Sequence, residues 1–312
     1  MAFYTGNVSN FTELRNALVD SCVIEGWTWA DGILSKGAIF VRPFAREAYD
    51  STGGNRFGAG LVIEGGTGKS GSSLVNPSSV KPRLGSSGLD TNLAPSVVWP
   101  AQYNIHIFDT EVFIILKFNV QYYYRLAFGI SNIQGSGLWL SGYAPEWTEI
   151  TAGNQYNGFD MTHSSGASGG IGRVTAPFWR SGRSTAAYVN ADSVIFQDIW
   201  QGNATNQTNE GYIFANSAID PLFSLKNQWN SEAILLPFQC YLRRSSGKIS
   251  LLLDLDYARL LRIDNFEPEQ IITLGSVKWK VYPFLRKNIE AADTGSGTHS
   301  GTFGWAIRYD GP

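Results

Sequence analysis

Carboxyl groups that could act as a catalytic pair occur at two places in the sequence. Glu146 and Glu149 are close in sequence, and Asp254 and Asp256 would share one face of a β-strand. A glycosidase needs two carboxyl groups about 5–10 Å apart in a cleft lined by aromatic residues. The leucines at 251–253 favour a strand edge or a solvated strand face at the second pair, so we expect no hydrolase there.

A glycine-rich segment at 65–70 contains the lysine and hydroxyl residues of a phosphate-binding loop. That loop needs a glycine five positions before Gly68, where Ile63 stands instead. It also needs a following helix whose N-terminal amides face the phosphates. Residues 71–77 include Gly, Ser, Asn and Pro and predict no helix. Nucleotide binding is therefore not expected.

The three histidines do not form a recognisable metal site or catalytic set. His106 falls on the polar side of a predicted strand, and His163 and His299 lie in segments rich in Gly and Ser. Asp160 and His163 have a spacing compatible with two metal ligands, but no third ligand is close in sequence. A structural or solvated role is the favoured interpretation for the histidines.

Serine and cysteine residues also give no catalytic signal. Ser136 and Ser168 lie beside glycines but do not match the Gly-x-Ser-x-Gly pattern of a nucleophile elbow. Cys22 and Cys240 are far apart, and two thiols cannot form a zinc site alone. We expect both to be buried free thiols. The sequence thus predicts no catalytic residue, no cofactor, no metal and no enzymatic activity.

The composition favours a β-dominated protein. The 312 residues include 24 Lys and Arg against 26 Asp and Glu, which argues against a strongly basic nucleic-acid-binding face. Charged residues make up 16%, aromatic residues 13%, and there are 34 glycines, a balance that suits pleated sheets and tight turns. No apolar run approaches the roughly 18 residues of a membrane span. The N-terminus lacks a signal-peptide pattern, so synthesis in a cytoplasm is expected.

One helix has clear start and stop signals. Asn10 is a good N-cap residue, and Glu13 completes a capping box. Gly26 can adopt the left-handed conformation that ends a helix. The residues expected on the buried face are Phe11, Leu14, Leu18 and Cys22.

Three segments follow from the patterning. Short strands at 27–29 and 39–41 would complete a helix-plus-hairpin module at 1–64. Residues 65–96 hold 6 Gly, 8 Ser and 3 Pro and predict a long loop or an extended arm. Residues 97–312 would form a larger antiparallel β-rich body.

Period-2 alternation is the strongest signal in that body. It marks 103–107 and 112–120 as an antiparallel hairpin, 234–256 as a second hairpin, and 277–281 and 303–309 as further strands. The last strand is apolar and aromatic, so we expect it to be paired. The predicted fold class is α+β, dominated by antiparallel sheet, with a small N-terminal helix and long Gly/Ser-rich loops.

The ten tryptophans divide into two groups. Four at strand-like positions are predicted to be core residues: Trp27, Trp29, Trp279 and Trp305. Six in turn-rich surroundings are candidate interface anchors: Trp99, Trp139, Trp147, Trp179, Trp200 and Trp229. The alternative for the second group is that each ring packs a loop onto its own sheet.

Blocks of residues spread over most of the chain resemble virion proteins of tailed bacteriophages. They lie at 26–28, at 32–37, at 105–113, at 126–129 and at 304–310. The resemblance implies a structural component of the phage tail, in the baseplate, the tail tip or the fibre-attachment region. It brings no catalytic residues with it.

The resemblance also implies partners and a location. We expect contacts with copies of the same chain, as a trimer or hexamer around a tail axis, and with other virion proteins. Segments 65–96 and 151–173 are candidate intersubunit arms. Neither a nucleic acid nor a membrane is expected as a partner. The alternative function is host receptor or glycan binding, with polysaccharide depolymerase activity as its enzymatic variant.

Overall fold

The computed structural model describes residues 1–50, 58–78, 81–85, 95–145, 187–191, 200–201, 213–215, 234–243, 249–292 and 298–311. In chain order the elements are β1 (Ala2–Val8), α1 (Phe11–Ile24), β2 (Thr28–Ala30), β3 (Ile33–Lys36), β4 (Ile39–Arg46), β5 (Gly60–Gly66), β6 (Gly68–Ser70), β7 (Ser73–Val75), β8 (Pro82–Leu84), β9 (Ala101–Ile107), β10 (Glu111–Phe118), β11 (Tyr122–Ile130), β12 (Ser136–Gly142), β13 (Ala144–Pro145), β14 (Ala187–Ala191), β15 (Trp200–Gln201), β16 (Ile213–Ala215), β17 (Leu236–Arg243), β18 (Ile249–Arg262), β19 (Ile271–Leu274), β20 (Val277–Pro283) and β21 (Phe303–Arg308). Strand is the dominant secondary structure of the described residues, which contain one small N-terminal helix, so the predicted β-dominated class is confirmed.

A seven-stranded antiparallel sheet, called here the central sheet, has the strand order β1-β9-β10-β11-β12-β14-β15. β9 and β10 form the predicted hairpin, in which Lys117 lies opposite Gln102. β1 pairs with β9 over its whole length. The segment 1–64 therefore contributes its first strand to the same sheet as the strands of segment 97–312.

The central sheet is covered on both faces. On one face, the ring of Phe128 lies 5.8 Å from Trp27, which follows the helix. On the other, the ring of Phe113 lies 5.6 Å from Trp305 of β21. β10 is consequently buried at every position except Lys117. A strand between two covering layers has no solvent face.

Helix α1 forms as its sequence signals predict. The Asn10 side chain accepts a hydrogen bond from the backbone N–H of Glu13 at 2.7 Å, and the Glu13 carboxylate accepts one from the backbone N–H of Ser9 at 2.7 Å. Gly26 has a φ of +80°, which ends the helix in the left-handed region. The four residues of the predicted inner face are all buried: Phe11, Leu14, Leu18 and Cys22.

A six-stranded sheet of order β13-β8-β5-β4-β3-β2, called here the N-terminal sheet, accompanies the helix. Its segment from Thr28 to Arg46 is a three-stranded meander and not the predicted two-stranded hairpin. Gly65 of β5 faces the central sheet, where a side chain at this position would come within 2.8 Å of Leu138 and 2.9 Å of Leu140. The glycine thus permits the close approach of the two sheets.

Part of the predicted loop at 65–96 is folded. Its described residues include β6 and β7, which pair with each other, and β8, which pairs with β5. These strands are short, and their extended conformation depends on hydrogen bonds to the neighbouring strands. In the second predicted arm, 151–173, all residues lie outside the described ranges.

The third sheet, called here the C-terminal sheet, has the order β16-β17-β18-β21-β20-β19. β17 and β18 form the predicted antiparallel hairpin. β21 lies between β18 and β20, so the prediction of a paired last strand is confirmed. β19 is an edge strand of this sheet.

Candidate functional site

The six candidate interface tryptophans occupy different environments. Trp139 is fully buried in the central sheet and has no surface left for contact with another chain. Trp99 is half-buried, and its ring lies 4.9 Å from Phe11 in an edge-to-face arrangement. The side chains outside the described part of the structure are those of Trp147, Trp179, Trp200 and Trp229. Of the two described side chains, Trp99 is the one that retains exposed surface.

Three of the four predicted core tryptophans are buried: Trp27, Trp279 and Trp305. The prediction is wrong for Trp29, which is 37% exposed. The reason is its position on β2, the edge strand of the N-terminal sheet, where no further strand covers it.

The glycine-rich segment at 65–70 holds its lysine in a structural contact. Lys69 Nζ lies 2.9 Å from the Asp31 carboxylate and donates to the carbonyl oxygen of Ala30 at 3.2 Å. The segment continues into the β6–β7 hairpin, where a phosphate-binding loop would start a helix. The prediction that no helix follows this segment is confirmed.

His106 has a structural role. It is 1% exposed, and its Nε2 lies 2.9 Å from the hydroxyl of Tyr282 in the C-terminal sheet. Burial, with a smaller contribution from Lys280, lowers the pKa of His106 to about 3. The ring is therefore neutral at physiological pH. The polar side of β9 faces a second sheet.

The carboxyl groups of Asp254 and Asp256 are engaged in different contacts. Asp254 accepts a hydrogen bond from the Gln239 side chain at 3.0 Å, and Asp256 accepts one from Asn132 at 3.5 Å. The β17–β18 ladder is interrupted after Asp254, because residues 255–258 lie opposite a single residue of β17. This irregularity leaves backbone N–H groups of β18 without partners on β17.

Glu111 supplies the missing acceptors. Its Oε1 accepts a hydrogen bond from the backbone N–H of Asp256 at 3.0 Å, and its Oε2 accepts one from that of Tyr257 at 3.2 Å. The side chain is 2% exposed, and burial raises its pKa to about 8 despite these two bonds. A carboxyl group with a raised pKa beside an exposed aspartate resembles the carboxyl pair of a glycosidase.

The Glu111–Asp256 pair lacks the access that catalysis needs. Both oxygens of Glu111 are buried against backbone, so neither can reach a glycosidic oxygen. Glu111 was not among the predicted candidates, and the predicted pair of Glu146 and Glu149 lies outside the described ranges. Within those ranges, no group of three or more His, Cys, Asp or Glu side chains could hold a metal ion.

A second concentration of polar groups lies between the central and C-terminal sheets. This interlayer cluster consists of Asn104, Lys117, Tyr123, Glu269 and Lys280. The Glu269 carboxylate accepts hydrogen bonds from Asn104 Nδ2 at 3.0 Å, from Lys117 Nζ and from the Tyr123 hydroxyl at 3.4 Å. Lys280 Nζ lies 3.9 Å from the same carboxylate.

Glu269 holds three adjacent strands of the central sheet from the loop between β18 and β19. Its φ of +69° lies in the left-handed region, which a non-glycine residue adopts at some cost. The sequence places Asn104 and Lys117 on the polar faces of their strands, which signals a polar site there. No local pattern identifies Glu269 as their partner, because it is 152 residues from Lys117.

The edge of the C-terminal sheet exposes apolar side chains. In β19, Ile271 is 42% exposed and Leu274 is 45% exposed. The strand has the sequence Ile-Ile-Thr-Leu, without the charge or proline that normally protects an exposed edge. This edge is the clearest candidate contact surface among the described residues.

Comparison with known proteins identifies no relative: the chain matches no protein-family model, and no curated protein matches it in sequence. Among the described residues, no helix combines the length and apolar character needed to cross a membrane.

Proposed function

We propose that the chain is a structural component of a bacteriophage tail, in the baseplate, the tail tip or the fibre-attachment region. It acts by forming contacts with copies of itself, as a trimer or hexamer, and with other virion proteins. It requires no cofactor and catalyses no reaction. The residue blocks that resemble phage virion proteins support this proposal, and they fall just after α1, in β3, in the β9–β10 hairpin, in β11 and in β21.

The exposed edge of β19 is the single observation that carries the assembly role. The backbone N–H of Val281 donates to the carbonyl of Gln270 at 2.9 Å. Hydrogen-bonded and non-hydrogen-bonded pairs alternate along an antiparallel ladder. Ile271 and Thr273 therefore direct their N–H and C=O groups away from β20, where they can pair with a strand of another chain.

Replacement of Thr273 by proline tests this surface. Proline removes the outward N–H and leaves the β19–β20 hydrogen bonds intact, since proline is tolerated on an edge strand whose N–H faces solvent. Thr273→Val is the matched control, because it retains the N–H. We expect Thr273→Pro to shift the oligomer towards monomer in sedimentation velocity, while Thr273→Val assembles like the wild type.

Two results would count against the proposal. A wild-type chain that stays monomeric at all accessible concentrations, alone and with the other virion proteins, would contradict assembly. Unchanged assembly of Thr273→Pro would contradict the β19 edge as the contact. Circular dichroism of both variants establishes that the fold is retained.

A further inference from the structure

Three side chains of the interlayer cluster carry an amine, a primary amide and a carboxyl group. Lys117 projects from β10 and Asn104 from the adjacent strand β9, on the face that meets the C-terminal sheet. Asn104 Nδ2 donates to Oε1 of Glu269, and Lys117 Nζ donates to Oε2 of the same carboxylate. One carboxyl group therefore holds the amine and the amide side by side.

We propose that Lys117 and Asn104 form an intramolecular isopeptide bond, with Glu269 as the group that transfers the proton. This is a covalent modification of the chain itself and is independent of the tail assembly proposed above. It needs no metal, oxidant or other reactant.

The reaction balances with the three groups present. The neutral amine of Lys117 attacks Cγ of Asn104 after losing a proton to the Glu269 carboxylate. In the tetrahedral intermediate the attacking nitrogen passes a second proton to the original amide nitrogen, which is expelled as ammonia when the carbonyl re-forms. The ammonia then takes the proton from Glu269 and leaves as ammonium. The bond between Cγ and Nδ2 breaks, the bond between Cγ and Nζ forms, and Glu269 returns to its initial state. The net change is the release of one ammonium ion, so the neutral mass of the chain falls by one ammonia.

The surroundings favour this reaction over hydrolysis of the amide. Asn104 is fully buried and Tyr123 is 2% exposed, so little water reaches the amide carbon. Asn104 Oδ1 is buried and has no hydrogen-bond partner among the described residues. This is the oxygen that becomes negative when the amine attacks. Lys280 Nζ lies 3.9 Å from the Glu269 carboxylate and adds a positive charge to the cluster.

Burial and electrostatics also bear on the charge state of the amines. Desolvation lowers the pKa of Lys280 most, the Glu269 carboxylate opposes this effect, and the nearby charge of Lys117 lowers the pKa further. The left-handed backbone of Glu269 is consistent with a side chain placed for a specific contact.

The product would tie β9 covalently to β10 inside the central sheet. A bond between adjacent strands prevents them from separating under load. The remaining contacts of Glu269, with Tyr123 and Lys280, can persist after the bond forms.

Intact-mass spectrometry of the purified full-length chain is the direct test. We expect a mass lower than that of the sequence by one ammonia, and after trypsin digestion a branched peptide that joins Asn104 to Lys117. Glu269→Gln and Lys117→Arg should restore the unmodified mass. Lys278→Arg, a change at an exposed lysine of β20, should leave the mass loss in place.

Three outcomes would overturn the proposal. One is the unmodified mass after prolonged incubation of the folded wild type. Another is an ammonia loss with only linear peptides, which indicates a succinimide at an asparagine. The third is a branched peptide that joins Asn104 to Lys280, which assigns the amine to the other lysine. The wild-type measurement decides the matter even where a variant fails to fold.

Discussion

Glu111 makes the pH dependence of stability a sharp test of the described packing. Two effects on its pKa oppose each other: burial favours the neutral acid, and the two backbone hydrogen bonds favour the carboxylate. Burial is the larger effect and raises the pKa from 4.5 to about 8. The variant Glu111→Gln removes the titration and keeps the shape of the side chain.

The sign follows from proton linkage. A carboxyl group whose pKa is higher in the folded state binds a proton on folding between pH 4.5 and about 8. The free energy of unfolding therefore falls as pH rises through this window, by up to about 1.4 kcal/mol per pH unit. Over the whole window Glu111 lowers the stability by about 5 kcal/mol, and glutamine carries no such dependence.

Urea unfolding followed by circular dichroism at several pH values from 4.5 to 8 measures this difference. We expect Glu111→Gln to gain stability relative to the wild type as pH rises. Glu267→Gln, at a carboxylate that is 79% exposed, is the control and should run parallel to the wild type. Parallel curves for Glu111→Gln would show that the hydrogen bonds cancel the effect of burial on the pKa. A wild type that becomes relatively more stable with rising pH would show that they outweigh it.

Further expectations concern the helix and the contact between the sheets, all measured by urea unfolding. Leu18→Asp should cost several kcal/mol because it buries an unpaired charge, while Asn16→Asp on the exposed helix face should be nearly neutral. Asn10→Ala should cost about 1 kcal/mol through loss of the N-cap. Gly65→Ala should cost about 1–3 kcal/mol by overpacking. Gly68→Ala, with no atom closer than 3.7 Å, should cost less; equal costs at the two glycines would contradict the described sheet contact.

The features predicted correctly from the sequence are those with local causes. The cap at Asn10, the glycine stop at Gly26 and the buried stripe of α1 each depend on residues within a few positions of one another. The β9–β10 and β17–β18 hairpins follow from alternation and a short turn. These local preferences are retained in the folded chain because tertiary contacts favour the same conformations.

The polar side of β9 shows where local reasoning stops. His106 and Asn104 alternate with apolar residues, which by itself indicates one solvated face. The C-terminal sheet covers that face and supplies Tyr282 and Glu269 as partners, more than 160 residues along the chain. The alternation correctly predicts which side chains share a face of β9. Whether that face is exposed to solvent depends on the C-terminal sheet, which is distant in sequence.

Short strands within 65–96 were also beyond prediction. β6, β7 and β8 have three residues each, and their composition is that of a loop. They form strands because β6 and β7 hydrogen-bond to each other and β8 hydrogen-bonds to β5. The same limit applies to Trp29, whose exposure follows from the edge position of β2.

The location of the chain in an assembled particle tests the central proposal most directly. Antibodies raised against the purified chain, visualised with gold on particles produced by the genome that encodes it, report that location in electron micrographs. We expect label at the tail of intact particles, at a fixed distance from the head. Particles without label, together with a chain that remains in the lysate when particles are removed, would contradict the proposal.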